Sequence, residues 1–283
     1  MICALDHTTI LVRDLDVGVA AYREILAREP AYRTKIDGAE SVFFTVDNAT
    51  LRITAPQREG AFGNSVRAAL DESGESHLWG LDFRVDNIEK THRRLKRLSL
   101  GPHEISDITL KNLAGDTTLS WKCSRLPDKV SHGVQISFSK PSAEVPHSDV
   151  VRPAPVLKMD LVVVATDEPE RALALYGARL GLSLILDRTD PVHKSRLMQF
   201  ACGDMLVELV HRLTDNHVRL PDRLWGIAWS VADADAARQR LLQAGRDVSE
   251  VKVGAKPGTR VFTLRDGTCN VPTLFVQHLT TES

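Results

Sequence analysis

The chain is poor in the features that mark several large classes of protein. Aromatic residues make up only 5% of its 283 positions, too few for the stacking platforms that grip single-stranded nucleic acid. Neither sign of charge dominates. Lys and Arg number 36 against 37 Asp and Glu, a formal net charge of −1, so the basic excess that draws a protein to nucleic acid or an anionic membrane surface is missing. Apolar runs such as Leu161–Ala165 are far too short to span a bilayer. The opening MICALDH has no basic region followed by an apolar stretch, so no secretory leader is expected. Four cysteines (Cys3, Cys123, Cys202, Cys269) stand without CxxC spacing, which reads as reduced thiols in a cytoplasmic protein rather than a disulfide framework or a zinc site. There is no glycine-rich phosphate loop, no Gly-x-Ser-x-Gly and no His-Glu-x-x-His. The expected partner is therefore a small molecule, not nucleic acid or membrane; a homodimer stays open.

What is present is a soluble globular profile, 43% hydrophobic and 26% charged, over a length that suits two domains, and a repeat. The stretch ALDHTTILVRDLDVGVAAYREIL from Ala4 and the stretch KMDLVVVATDEPERALALYGARL from Lys158 align with Asp6 on Asp160 and Tyr22 on Tyr176, an offset of 154. LWGLDFRVDNIEKTHRRL from Leu78 aligns with LWGIAWSVADADAARQRL from Leu224, an offset of 146. Each stretch reads as a strand, a turn and a helix. Asp14 or Asp16 can cap the first helix, and Pro169 suits a first helical turn. Strand-like runs follow every helix: SVFFTV and ATLRITA, TTLSWKC and GVQISFSK, LMQFAC and MLVELV, TRVFTLRD and PTLFVQH. In GVQISFSK, Val134, Ile136 and Phe138 share one face, the alternation of a half-buried strand. The spacing predicts four strand–helix–strands units, two per half. Residues 1–140 form the first half and 156–283 the second. Residues 141–155, with Pro141, Pro146, Pro153 and Pro155 in or beside them, form a linker unsuited to helix or strand.

Asp6-His7-Thr-Thr-Ile-Leu-Val-Arg-Asp14-Leu-Asp16, with Tyr22 downstream, resembles the opening of a vicinal-oxygen-chelate domain. Val261-Phe-Thr-Leu-Arg-Asp266-Gly267 resembles the final hairpin of one. The resemblance covers nearly the whole chain and is closest to the glyoxalase-like, lactoylglutathione-lyase-related proteins, a subgroup with no settled substrate. It implies an α+β fold: four βαβββ units forming two half-open, mostly antiparallel β-barrels with helices outside. It also implies a divalent metal on each concave face, held by His, Glu, His and Glu from the first and last strands of paired units. In the first half those positions fall on His7, Arg52, Gly80 and Ser137. In the second they fall on Leu161, Glu208, Gly226 and the neighbourhood of Phe275. One ligand in four survives in each half, against the three that a catalytic zinc usually needs. No metal is expected in the ancestral position, and no cofactor is predicted. A displaced site drawing on His77, Asp82 or His211 stays open, although His77 lies an odd number of residues before Gly80 and so on the opposite face of a regular strand.

Alternation then fills the cups. The first should hold His7, Thr9, Leu11, Arg52, Thr54, Asp82, Arg84, Gln135 and Ser137. His7, Asp82 and Arg52 could serve proton transfer and anion binding, or form only a salt-bridged groove. The second should be drier, with Leu161, Val163, Gly226, Ala228 and Phe275 around Glu208 and Ser230. Glu208, a lone carboxylate on an apolar face, should titrate high and suit acid–base work, unless Arg223, Arg260 or Arg265 neutralises it. Trp225, like Trp79, either lines a slot or packs in the core. Lys256-Pro-Gly-Thr-Arg260 is either an anion-gripping loop or a hairpin turn. The basic stretch Lys90–Arg97 reads as a solvated helix face.

The candidate catalytic residues are thus Glu208 and His7. The candidate substrate-binding residues are Arg52, Asp82, Ser137, Trp225, Ser230 and Arg260. The leading expectation is a lyase or isomerase of glyoxalase type acting on a small carbonyl or hydroxy acid. The alternatives are a non-catalytic small-molecule binder of resistance type, and a ring-cleaving extradiol dioxygenase, whose 2-His-1-carboxylate iron site cannot be assembled from these positions.

Overall fold

A computed structural model describes residues 1–213 and 219–279. The first unit is β1 (Ile2–Leu11), α1 (Leu15–Leu26), β2 (Tyr32–Ile36), β3 (Ala39–Thr45) and β4 (Thr50–Pro56). After helix α2 (Ala61–Ser73) comes the second: β5 (His77–Val85), α3 (Ile88–Arg97), β6 (Ser106–Lys111), β7 (Thr118–Arg125), the short α4 (Asp128–Ser131) and β8 (Gln135–Pro141). The third is β9 (Val156–Ala165), α5 (Pro169–Leu173) continued by a π-helical turn over Ala174–Arg179, β10 (Ser183–Asp190), β11 (Ser195–Cys202) and β12 (Met205–Arg212). The fourth is β13 (Arg223–Val231), α6 (Ala234–Gln243), β14 (Lys252–Val253), β15 (Thr259–Leu264) and β16 (Thr273–His278). No helix among the described residues is long and apolar enough to cross a membrane.

Two eight-stranded sheets result, in the orders β2-β3-β4-β1-β5-β8-β7-β6 and β10-β11-β12-β9-β13-β16-β15-β14. Only the pairs that close each unit are parallel: β1 with β4, β5 with β8, β9 with β12 and β13 with β16. This is the expected α+β arrangement of four βαβββ units in two mostly antiparallel curved sheets. The first sheet nearly closes on itself. The Tyr32 hydroxyl on β2 donates to Leu110 O on β6 at 2.7 Å, and Leu113 N donates to Arg33 O at 2.8 Å, so two strand edges that would lie open cover each other.

The helices start where side chains replace missing backbone partners. Asp14 Oδ1 accepts from Asp16 N and Val17 N, and Asn87 Oδ1 from Lys90 N. Asp233, 146 residues beyond Asn87, accepts from Asp235 N and Ala236 N. Pro169 opens α5, where its absent N–H costs nothing. On the helix side, Ile10, Val12, Ile53, Leu81, Phe83 and Val85 are buried together with Tyr22, Val162, Phe200, Trp229 and Phe275 in one continuous core shared by both halves. The halves are also tied by polar contacts. The Tyr22 hydroxyl donates to Thr268 O at 3.2 Å, Asn48 Nδ2 to Met159 O at 2.8 Å, and Arg240 to the carbonyls of Glu24 and Ile25. Residues 142–155 run along the first sheet, where Ser148 and Thr45 exchange hydrogen bonds at 2.6 and 2.9 Å and Arg28 bridges Val150.

Candidate functional site

The strand register decides what meets inside the first cup. His7 lies opposite Asp82 and Thr9 opposite Gly80 across β1 and β5. Arg52 on β4 lies beside Thr9, and Ser137 on β8 beside Asp82. His7, Arg52, Asp82 and Ser137 therefore line one cavity of about 420 Å³, the size of a small-metabolite site.

Two β-bulges add residues that simple alternation would send to the other face. The β1–β5 register slips between Leu5 and His7, which leaves Asp6 as the extra residue. It slips again between Thr9 and Ile10, which leaves Trp79 extra on β5. Asp6 consequently stands beside His7, its Oδ2 3.0 Å from His7 Nδ1, while its Oδ1 accepts from Arg84 Nε at 3.0 Å and Nη2 at 2.9 Å. Trp79 turns onto Phe62, 6.4 Å between ring centroids, and lines the cavity.

The electrostatics are those of a shielded site. Burial pushes the Asp82 carboxyl up to about 6; the charge of Asp6 reinforces this, while His7 and Arg52 oppose it. Asp82 Oδ1 is buried with no hydrogen-bond partner among the described residues, a costly condition in the absence of a ligand. Burial works against the charge of Asp6 too, yet His7 and Arg84 hold it below the usual carboxylate range. Burial pulls Arg52 down to about 10, so it remains a cation at neutral pH. Its Nε and Nη2 each donate to Ser41 Oγ at 3.0 Å, and its guanidinium carbon lies 5.5 Å from the Phe43 ring centre and 5.0 Å from that of Phe62. Among the described residues no carboxylate forms an ion pair with it. Cys123, on the same wall, is pushed up to about 12 chiefly by burial and stays a thiol.

Helix α2 closes the end of this cup and has no counterpart among the described residues of the second half. Its first turn lies directly on the β2–β3 turn. A Cβ at Gly63 would fall 2.4 Å from Gly38 O, and one at Gly60 2.5 Å from Asp37 O, so only glycine allows this docking. Asp37 Oδ2 accepts from Phe62 N at 3.0 Å, which fixes Phe62 over Arg52. Leu11, expected to face the cup, is covered by Val66 and Leu70 of this helix. Gly80 differs: a Cβ there would meet nothing closer than 3.5 Å, so its missing side chain leaves the cavity open rather than relieving a clash.

The second cup repeats the register with different side chains. Leu161 lies opposite Ala228 and Val163 opposite Gly226, with Glu208 beside Val163. The position equivalent to Ser137 is Leu274, the partner of Ala228. Phe275 points the other way, stacked on Phe262 at 4.6 Å in the shared core, because alternation along β16 puts Leu274 on the cup face and Phe275 on the core face. Burial holds Glu208 above the usual range, and Gln199 Nε2 donates to it at 2.6 Å. Of the arginines that could neutralise it, Arg260 pairs with Asp235 at 2.6 Å and Arg265 with Asp247 at 3.0 Å. Ser230 is buried beside Val276 and Lys158. Trp225, the bulge residue matching Trp79, is 38% exposed. Glu208, Trp225, Ser230 and Arg260 thus do not line the first-cup cavity. That cavity instead brings in Phe62, Trp121, Cys123 and Arg125, which sequence reasoning missed. Asp6 had one sequence signal, its alignment with Asp160.

Residues 5–181 match the family described as "Glyoxalase-like domain". The chain belongs to this family. Residues 161–263 also match the "Glyoxalase/Bleomycin resistance protein/Dioxygenase superfamily", which confirms the vicinal-oxygen-chelate resemblance. Solved structures share the fold at low identity. A mutant 4-hydroxymandelate synthase from Streptomyces coelicolor has a TM-score of 0.68 at 12% identity, over 100% of this chain and 95% of that one. The catechol dioxygenase BphC has 0.65 at 12%, over 98% and 87%. The Mn(II)-bound glyoxalase of Novosphingobium aromaticivorans has 0.64 at 12%, over 99% and 83%. No curated protein matches by sequence. The glyoxalase-like fold hosts several reactions and does not choose among them.

The superfamily's metal can be tested against these residues. Around the ancestral point stand one imidazole, one guanidinium, a glycine and a hydroxyl (His7, Arg52, Gly80 and Ser137). A buried cation in the ring opposes a second cation, so the ancestral position does not fit. A displaced cluster exists: Asp6, His7 and Asp82 each offer a donor atom, all within 4.8 Å of one another. Both oxygens of Asp6 are already engaged by His7 and Arg84. His77 and His211, the other residues considered for a displaced site, bond instead to Glu75 O and Thr166 O.

Proposed function

We propose that this glyoxalase-like protein binds a small carbonyl or hydroxy acid in its first cup and shifts a proton on it, as a lyase or isomerase of glyoxalase type. The observation that carries this is Arg52, a shielded guanidinium with no ion-pair partner among the described residues, facing a cavity that also holds a carboxyl titrating near 6. Arg52 would take the substrate carboxylate in a charge-assisted fork. Asp82, ionised above its pKa, would remove the proton from the hydroxyl-bearing carbon next to the carbonyl; that C–H pair becomes the C=C bond of an enediol as the C=O π pair moves onto oxygen. The proton returns at the former carbonyl carbon as the neighbouring hydroxyl gives up its own proton to become the new carbonyl and the old carbonyl oxygen becomes a hydroxyl. His7, oriented by Asp6, would donate to that oxygen. Glu208, the other candidate base, serves the second cup in this reading.

The test is calorimetric titration of the full chain with 2-oxo and 2-hydroxy acids, beside Arg52→Met and Glu208→Gln. Affinity should fall about tenfold or more in the first and hold in the second; the reverse pattern would move the site to the second cup. Binding without turnover of any acid would make the protein a non-catalytic binder.

A second reading rests on the cluster of Asp6, His7 and Asp82. With Arg84 displaced from Asp6, these three residues would hold a divalent ion, which polarises a substrate oxygen when bound. Stoichiometric metal in the purified protein, reduced by Asp6→Asn, would support it.

A further inference from the structure

The cavity holds a second arginine that the acid–base reading does not use. Arg125, on β7, lies beside Ser137 in the register, and Ser137 lies beside Asp82. Arg52 is on β4, four strands away across β1, β5 and β8 in the curled sheet. The two guanidiniums thus rise from opposite walls with Asp82 and His7 between them, and both line the same cavity.

Each is fixed by a neutral acceptor rather than a carboxylate. For Arg52 the acceptor is Ser41 Oγ. For Arg125 it is Gln135 Oε1 at 3.1 Å, and Gln135 is itself set in that orientation by donating its Nε2 to Asp128 Oδ1 at 2.8 Å. A neutral tether orients a guanidinium without cancelling its charge, so the remaining N–H groups stay available to an anion. Among the described residues neither arginine forms an ion pair. The acids at the cavity mouth are engaged elsewhere: Glu104 with Lys96 at 2.6 Å and Asp37 with Phe62 N at 3.0 Å.

We infer that the ligand of this cavity is a dicarboxylic acid, with one carboxylate on Arg52, the second on Arg125 and the reacting carbonyl between them, over Asp82 and His7. The inference rests on the proposed role of Arg52 and adds Arg125 as the residue that selects for the second acidic group. An acid with one carboxylate would leave Arg125 without its anion and gain only half of the charge-assisted contacts.

The test compares matched pairs that differ only in the terminal carboxylate: 2-oxopentanoate with 2-oxoglutarate, 2-oxohexanoate with 2-oxoadipate, and 2-oxoheptanoate with 2-oxopimelate. Each is titrated calorimetrically into the 283-residue chain, Arg125→Gln, Arg125→Lys and Arg52→Met. In at least one pair the diacid should bind about tenfold tighter. That advantage should vanish in Arg125→Gln and partly return in Arg125→Lys, while Arg52→Met weakens both members. Equal binding of every pair, untouched by Arg125→Gln but weakened by Arg52→Met, overturns this inference and leaves the Arg52 reading standing. If no acid of any pair binds, or Arg52→Met changes nothing, both fail together. Thermal unfolding of each variant separates lost selectivity from lost fold.

Discussion

Asp6 Oδ2 and His7 Nδ1 lie 3.0 Å apart although the two residues are consecutive in one strand. A regular strand would put their side chains on opposite faces; the bulge between Leu5 and His7 turns both toward the cup. The same Asp6 carboxylate holds Arg84, with side-chain exposures of 17% and 32%. Asp6→Ala should therefore cost about 1–2 kcal/mol in urea unfolding, more than a fully exposed pair, because Arg84 keeps only Glu144. Asp6 is held below the usual carboxylate range. Its contribution is therefore present above the unfolded pKa and is lost as pH falls through the lower folded one.

Asp82 has the opposite sign. Its folded pKa, about 6, lies above the ordinary 3.8, so between these values the native state binds more protons than the unfolded one. Its effect is to lower stability as pH rises from about 4 to 6, with little further change above. Asp82→Asn should remove this slope and raise the melting temperature at pH 7 relative to wild type while abolishing turnover. Thermal melts across pH 4 to 8 check it; a wild-type curve from which the Asn variant does not differ in slope would contradict the burial of this carboxyl.

Gly80→Leu separates folding from ligand access. The added Cβ meets only Gln135 and Thr9 at 3.5 and 4.0 Å, so stability should change by about 1 kcal/mol or less, while the side chain fills the cavity and acid binding is lost. The contrasting variant is Gly226→Leu, whose Cβ would stand 2.7 Å from Pro272 O and should unfold at markedly lower urea.

Chelation tests the balance between the two readings of the first cup. If Arg52 and Asp82 work without an ion, acid affinity measured by calorimetry should change by about twofold or less after treatment with EDTA. A fall of about tenfold, restored by Mn(II), would transfer the site to the cluster of Asp6, His7 and Asp82.

Much of this architecture was legible because similar stretches occur twice in the sequence. Asp6 with Asp160 and Trp79 with Trp225 marked the repeat, and the structure shows all four to be bulge residues. Alternation put His7, Arg52, Asp82 and Ser137 on one surface, and all four line one cavity. It could not show the bulges themselves, which depend on pairing between strands far apart in sequence, and so Asp6 escaped notice as a site residue. Helix α2 escaped because, among the described residues, it occurs in only one copy, and with it Phe62. Arg125 and Trp121 reach the cavity from β7, a strand whose side chains enter only once the sheet curls.

The continuous core beneath both sheets carries a consequence for how this protein can be handled. Tyr22, α1 and the back of the first sheet rest on residues from beyond position 155, among them Val162, Phe200, Trp229 and the carbonyl of Thr268. A chain cut to its first 140 residues would keep every wall of the first-cup cavity yet present a broad greasy underside to water, and would be expected to clump before it could be assayed. The second half is the floor on which the first half stands.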